Sequence, residues 1–516
     1  MKISNFQFYL SGVLIIVAYF AGLGVLPLLG PDEPRYAQVA REMYLRSDWI
    51  TPTLGGFNWF EKPALLYWLE IAAYQIFGVN EFAARFGSAV CGLLTVATIS
   101  LFSIYSFQSL VAQAEIADAK EKNPNPKIEF GFWALLISAS SIGLLVFAHA
   151  ASFDIILTFP VTAALCCFAA FDVFDSKSRI QNLKFLGGFY FFVGIALLAK
   201  GLVGIVLPFG IVFFYFAAMR KFPNKTFALS LLWGSLLGFL VAAVWYLPTY
   251  LRHGWTFIDE FFIQHHFARY TSNKYAHPEP FYYFWLVLPA LALPWLPFFL
   301  IALWKFFRAR SFKSQIFRAD NLFIFGTKAF KLRMFVFCWL LMPLLFFSFS
   351  GSKLPGYILP ALPAAIILAI QEVWHLTRNN KTRALAVKAV AFTVLLIVPI
   401  SLYTFAQSFA RDDTAKFLLE AADAQNDQIE KVLNLHDISH SLEFYAAGRL
   451  VRTADGKQRK FEGVGEIADY LQQEKQKKAL VLVPREYAFQ LEENALLSVE
   501  KIADNNFFVL FAVSLK

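Results

Sequence analysis

Charge is scarce in this chain: only 16% of its 516 residues are Asp, Glu, Lys or Arg, where a soluble globular protein carries about a quarter. That shortage excludes a soluble enzyme and a disordered chain. Cysteine is scarce too. Cys91, Cys166, Cys167 and Cys338 all lie inside apolar runs and read as small core hydrophobes, which excludes a disulfide scaffold. No internal repeat or low-complexity tract is present, and no phosphate-binding glycine loop, so no nucleotide cofactor is expected.

What is present is apolar: 58% hydrophobic residues, 59 of them phenylalanine, with a mean hydropathy of +0.52. This composition belongs to a polytopic helical membrane protein. Long uninterrupted apolar runs exclude a β-barrel. The net charge of +9 is accounted for by basic cytoplasmic loops, so no nucleic-acid partner is expected.

A spanning helix needs about 20 mostly apolar residues. Eleven runs qualify, at 8–29, 86–108, 130–148, 155–174, 185–199, 202–219, 228–250, 281–304, 334–350, 356–373 and 389–408. Three separations rest on short polar or Gly/Pro punctuation: 149–154, Lys200-Gly201 and 350–355, each read as a tight turn. With the N-terminus in the cytoplasm, inward connections hold 22 Lys and Arg against 10 outward, as the positive-inside rule requires. The loops 30–85 and 251–280 then face outward, which in a bacterium means the periplasmic side of the inner membrane. Residues 1–410 form the membrane domain. Residues 411–516, with 14 basic and 18 acidic side chains, form a small periplasmic α/β domain with strands near 479–483 and 507–511 and helices near 465–473 and 485–494.

Ionisable residues at a bilayer are costly and point to function unless the interface solvates them. Asp32, Glu33 and Arg35 stand together where the first span ends. Asp32 reads as a helix N-cap with Pro34 in the first turn, opening an amphipathic helix on the outer membrane surface. Capping explains Asp32 but not the grouping, which suits alignment of an acceptor beside an anionic group. Lys62 precedes Pro63, read as a helix start, where a cation opposes the helix dipole; that conflict points weakly to a lipid phosphate. Asp154 is either a cap or a catalytic acid. Lys200 and Lys353 head outward turns and either snorkel or meet an anion. Gln264 to Tyr270 is rich in metal- and phosphate-binding side chains, including His265, His266 and Arg269, but at most one of the two adjacent histidines shares a site with Glu61. An enzyme using a lipid-phosphate donor and a transporter of anionic lipid both fit. Charges at the outer rim rather than at mid-bilayer favour the enzyme.

In order along the chain come Asp32-Glu33-Pro34-Arg35-Tyr36-Ala37, Phe60-Glu61-Lys62-Pro63, Ser152-Phe153-Asp154, Lys200-Gly201, His265 to Tyr270 and Lys353 to Pro360. This succession resembles the bacterial aminoarabinose transferases and their relatives, the polyprenyl-phosphate-dependent glycosyltransferases of the dolichyl-phosphate-mannose protein mannosyltransferase type. The resemblance implies a GT-C fold and an undecaprenyl-phosphate-linked sugar donor. It implies inverting transfer to an outer-leaflet acceptor such as a lipid A phosphate. It implies Asp32 as principal catalytic carboxylate, with Glu33 beside it and Asp154 as a second acid. Arg35 and Lys62 would bind the donor phosphate, with Lys200, Arg269, Lys353 and Tyr357 near it. Glu61 with His265 or His266 would match positions associated with a divalent metal, zinc or magnesium or manganese.

Overall fold

The computed structural model of the chain describes residues 5–111, 125–174, 178–267, 279–308, 327–412, 414–425 and 431–516. They divide into two compact units. The first comprises Met1–Ala21, Glu61–Leu66 and Gly87–Pro399; the second comprises Gly22–Phe60, Tyr67–Phe86 and Ile400–Lys516. The sequence-based boundary near 410 lies close to the last of these divisions, but most of the 30–85 loop groups with the C-terminal residues.

The first unit is helical. Among the described residues seven helices are long and apolar enough to cross a membrane, or nine if each of two bent pairs is one span. The chain is thus a multi-pass membrane protein. The runs read at 8–29 and 202–219 form 16-residue helices, Asn5–Phe20 and Val203–Ala218. The run 281–304 is not one straight span: Tyr283–Leu291 and Leu296–Arg308 are bent by 120° relative to each other.

The three sequence-marked turns fall between helices. Phe153–Asp172 starts where the Ser152 hydroxyl accepts the Asp154 N–H at 3.2 Å. Arg179–Lys200 ends at Gly201, whose φ of +70° suits glycine at a helix C-terminus. Lys328–Ser348 gives way to a short 3₁₀-helix, Pro355–Ala361. Lipid offers no hydrophobic drive between helices, so close backbone approach carries the packing. A β-carbon on Gly194 would come within 2.7 Å of the Gly238 carbonyl oxygen, which lets Arg179–Lys200 and Lys225–His253 pack closely.

The second unit joins the first loop to the C-terminal residues. Its helix Asp32–Leu45 runs beside a hairpin, β1 (Thr53–Leu54) and β2 (Phe57–Asn58). The Glu42 carboxylate closes the hairpin turn, accepting from Thr53 Oγ1 at 2.7 Å, Gly55 N at 2.6 Å and Gly56 N at 3.1 Å. The polar face expected of this helix is only partly solvated: Gln38 is buried, while Arg35 and Glu42 are half-buried, Glu42 bonded to the hairpin. Nor is Asp32 the N-cap. Pro31 holds that position, no side chain caps it, and Asp32 sits in the first helical turn, where a carboxylate suits the dipole.

Strands β3 (Val432–Leu435), β4 (Lys460–Phe461), β5 (Ala479–Pro484), β6 (Leu497–Asp504) and β7 (Phe508–Leu515) form one sheet ordered β4-β3-β5-β7-β6. β3 runs parallel to β4 and β5, while β7 is antiparallel to β5 and β6. One face packs Val481, Val483 and Phe511 with Ile467 and Leu471. The other packs Leu480, Leu482 and Leu510 with Leu418, Leu419 and Ala422. Burial on both faces explains the continuous apolar run of β5. The helix expected over 485–494 is only two short turns, Arg485–Tyr487 and Phe489–Glu492.

Between Gly22 and Pro31 the backbone is irregular, and Arg85 holds it. Its Nε and one Nη donate to Glu33 at 2.9 and 2.7 Å. The remaining donors go to the carbonyls of Leu23, Leu26 and Pro27 at 2.8, 2.7 and 2.8 Å. Removing one member of a buried pair strands the other charge at a cost of about 3–5 kcal/mol. Arg85→Met is therefore expected to destabilise the second unit by about that much, read as a lowered thermal midpoint in detergent; an unchanged midpoint would contradict the buried pair.

Candidate functional site

A cleft in the first unit encloses about 590 Å³ of empty space, part of it open to solvent. Glu61, Lys62, Pro63, Lys200, Val203, His265, Phe346, Phe347, Ser350 and Tyr357 line it. Five candidates from the sequence thus meet: Glu61, Lys62, Lys200, His265 and Tyr357.

Two lysines dominate its chemistry. Lys62 and Glu61 lie in the turn before the Leu65–Phe77 helix, which starts two residues later than Pro63 suggested, so Lys62 is outside its first turn. Both are buried, and Lys62 Nζ donates to Glu61 Oε1 at 3.0 Å. Lys200 ends its helix, where the C-terminal dipole favours a cation. Its ammonium pairs with Asp154 and lies 4.4 Å from the centre of the Tyr357 ring. Asp154 sits in the first turn of its own helix, which favours its charge. Its carboxylate leans on Gly356: a β-carbon there would stand 2.0 Å from Asp154 Oδ2. An ammonium has three donors, so a lysine can meet an anion as well as a carboxylate.

Other candidates lie elsewhere. Lys353 does not line the cleft; its ammonium is buried against the carbonyls of Glu279 and Ser350 at 2.9 and 2.8 Å. Arg269 and the His266 side chain lie outside the described residues. Glu61 is paired with Lys62, and among the described residues no group of three or more His, Cys, Asp or Glu could hold a metal ion. Of the expected metal set, Glu61 and His265 both line the cleft, while the His266 side chain lies outside the described residues.

Asp32, Glu33 and Arg35 belong to the second unit. The Asp32 side chain is 45% exposed and lies 3.9 Å from Arg35, one turn along. The Arg35 guanidinium lies 5.5 Å from the Trp59 ring centre. Glu33 is engaged differently: besides Arg85, it accepts the Leu29 N–H at 2.9 Å, so it holds the helix start rather than facing a reactant. Arg85 was counted in the sequence only as a loop charge. Its place at the mouth of an apolar run was the available signal, but its partner 52 residues away was not.

Residues 8–113 match the family model for dolichyl-phosphate-mannose-protein mannosyltransferase. Over 383 residues the chain is 29% identical to an undecaprenyl phosphate-alpha-4-amino-4-deoxy-L-arabinose arabinosyl transferase of Proteus mirabilis, covering 73% of this chain and 61% of that protein. The chain is similar to these transferases. A namesake from Photorhabdus laumondii is 28% identical over 396 residues, 76% of this chain and 64% of its own. The chain therefore spans less than two thirds of the length of these curated relatives. Its fold is that of ArnT from Cupriavidus metallidurans, a GT-C fold. The crystal structure of that protein bound to undecaprenyl phosphate superposes with a TM-score of 0.73 at 22% identity, over 99% of this chain and 98% of that one. The apo structure gives 0.72 at 23% identity, over 98% and 97%.

Two outcomes are expected. Gly356→Ala forces the Asp154 carboxylate away from its seat, and overpacking of this kind costs about 1–3 kcal/mol; a thermal midpoint equal to wild type would refute the contact. His440, in the C-terminal domain, is held below its ordinary pKa of 6.5. Burial is the main cause and Arg35 the second, against Glu443, Asp437 and Asp32, which pull it up. The folded state then takes its proton less readily than the unfolded chain. The stability due to the neutral ring is present above pH 6.5 and is lost as pH falls from there toward the folded value. His440→Gln should flatten the midpoint's dependence on pH in that window.

Proposed function

We propose that this chain is an integral membrane glycosyltransferase. It moves a sugar from an undecaprenyl-phosphate-linked donor to an outer-leaflet acceptor, a lipid A phosphate in a 4-amino-4-deoxy-L-arabinose-type transfer. The reaction belongs on the periplasmic face of the bacterial inner membrane. The observation that carries the reading is the cleft, where Lys62 and Lys200 stand beside Tyr357 with Phe346 and Phe347 on the wall. That pairing of fixed cations with apolar surface suits a phosphate carried on a prenyl chain. The relatives' names supply the sugar and the prenyl phosphate.

The chemistry follows from charge. The bond from the sugar's anomeric carbon to the donor phosphate oxygen breaks, and that oxygen keeps the electron pair. A bond from the same carbon to the acceptor oxygen forms on the opposite face, which inverts the configuration. Negative charge grows on the departing undecaprenyl phosphate, where Lys62 and Lys200 stabilise it most at the transition state. Asp154 and Tyr357 hold the Lys200 ammonium in place. Asp32 orients the acceptor oxygen and takes its proton where it carries one; an ionised phosphate needs only the orientation.

Asp32→Asn and Lys62→Ala are each expected to lower transfer at least about a hundredfold, with the protein still present in the membrane. The measurement is mass spectrometry of lipid A from cells with and without the chain. A pentosamine-sized gain on a lipid A phosphate, lost in both variants, is the expected result. Unchanged lipid A with a new mass on protein or another glycan would reassign the acceptor; wild-type transfer in both variants would remove the site.

A further inference from the structure

The segment that delivers Asp32 to the head of its helix is tied down at every turn. Arg85 takes three of its carbonyls and Glu33 takes the Leu29 N–H. The Leu28 N–H goes elsewhere: it donates to the hydroxyl of Tyr445 at 2.7 Å. Tyr445 belongs to the C-terminal sheet domain, 417 residues further along the chain. Having accepted from Leu28, the hydroxyl donates a hydrogen bond to Glu81 Oε1 at 3.0 Å. The same carboxylate oxygen binds Lys416 Nζ at 2.6 Å, again from the C-terminal domain. Burial first, and the Glu81 carboxylate second, push the Tyr445 phenol above its ordinary range, so the proton stays on the hydroxyl and the direction of both bonds is fixed. A second tie runs alongside: Arg41, on the Asp32–Leu45 helix, donates to the Phe444 carbonyl at 3.3 Å.

We infer that Tyr445 is a positioning residue for the transfer reaction, holding the Leu28 bend so that Asp32 meets the acceptor in register. The C-terminal domain is then part of the catalytic apparatus. This rests on the reading of Asp32 as the acceptor-directed carboxylate. A misplacement of about 1 Å can cost on the order of a hundredfold in rate. Losing one anchor among several is expected to cost about tenfold, felt at the chemical step and not in donor binding.

The test uses the purified full chain, an undecaprenyl-phosphate-linked sugar and a lipid A acceptor. Tyr445→Phe removes only the hydroxyl. It is expected to lower kcat about tenfold with the donor KM within about twofold of wild type. Glu81→Gln loosens the same latch from its far end and is expected to lower kcat about threefold with the same donor KM; it decides the matter if Tyr445→Phe does not fold. Leu471→Val, in the core of the same domain, serves as the stability control and should keep wild-type kcat despite a lowered thermal midpoint. If Asp32→Asn is inactive while Tyr445→Phe and Glu81→Gln turn over like wild type, the inference is overturned and the proposed function stands. If Leu471→Val loses kcat in step with Tyr445→Phe, the effect is lost stability and the inference is likewise overturned. If Asp32→Asn is active, both fall together.

Discussion

The second unit is organised around a single guanidinium. Arg85 spends all five N–H donors on two oxygens of Glu33 and three backbone carbonyls between Leu23 and Pro27. The planar fork matches a carboxylate with two parallel bonds, and its remaining donors reach outward at fixed angles. A lysine could not reproduce this. Irregular backbone needs partners for its carbonyls, and here one side chain supplies three. The Asp32–Leu45 helix begins where it does because Glu33, in its first turn, is one jaw of this clamp.

The first unit solves a different problem. Its cleft holds two ammonium groups, yet each is already matched to a carboxylate, Lys62 to Glu61 and Lys200 to Asp154. Buried cations without counter-charge would be costly in an apolar protein. Pairing lowers that cost. Tyr357 adds the face of an aromatic ring to Lys200, which attracts a cation without neutralising it. The result is a wall that carries two matched cations beside an aromatic ring.

Much of this was legible in the sequence because lipid imposes few solutions. Apolar length gave the helices, and Gly201, Ser152 and the 350–355 stretch gave the breaks. The residues Glu61, Lys62, Lys200, His265 and Tyr357 could be named as candidates because charge and aromatic rings at the rim of apolar runs are conspicuous. What stayed hidden depends on distant pairing. Arg85 looked like a loop charge, and Lys353 like a phosphate ligand, until carbonyls from Glu279 and Ser350 turned out to surround its ammonium. The Asp32–Leu45 helix looked amphipathic because its polar residues are real, but their partners lie within the fold. β3, of four residues, and β6, whose exposed edge carries charge, lack the apolar run that exposed β5.

The bond from Leu28 to Tyr445 also sets an order of assembly. The first loop leaves the ribosome 417 residues ahead of the hydroxyl that completes it. At roughly 5–20 residues per second that is a wait of about twenty to eighty seconds. During this interval the loop has Arg85 and Glu33 but neither Tyr445 nor Lys416. A nascent chain halted before residue 416 would carry its helices in the bilayer with this loop half-built.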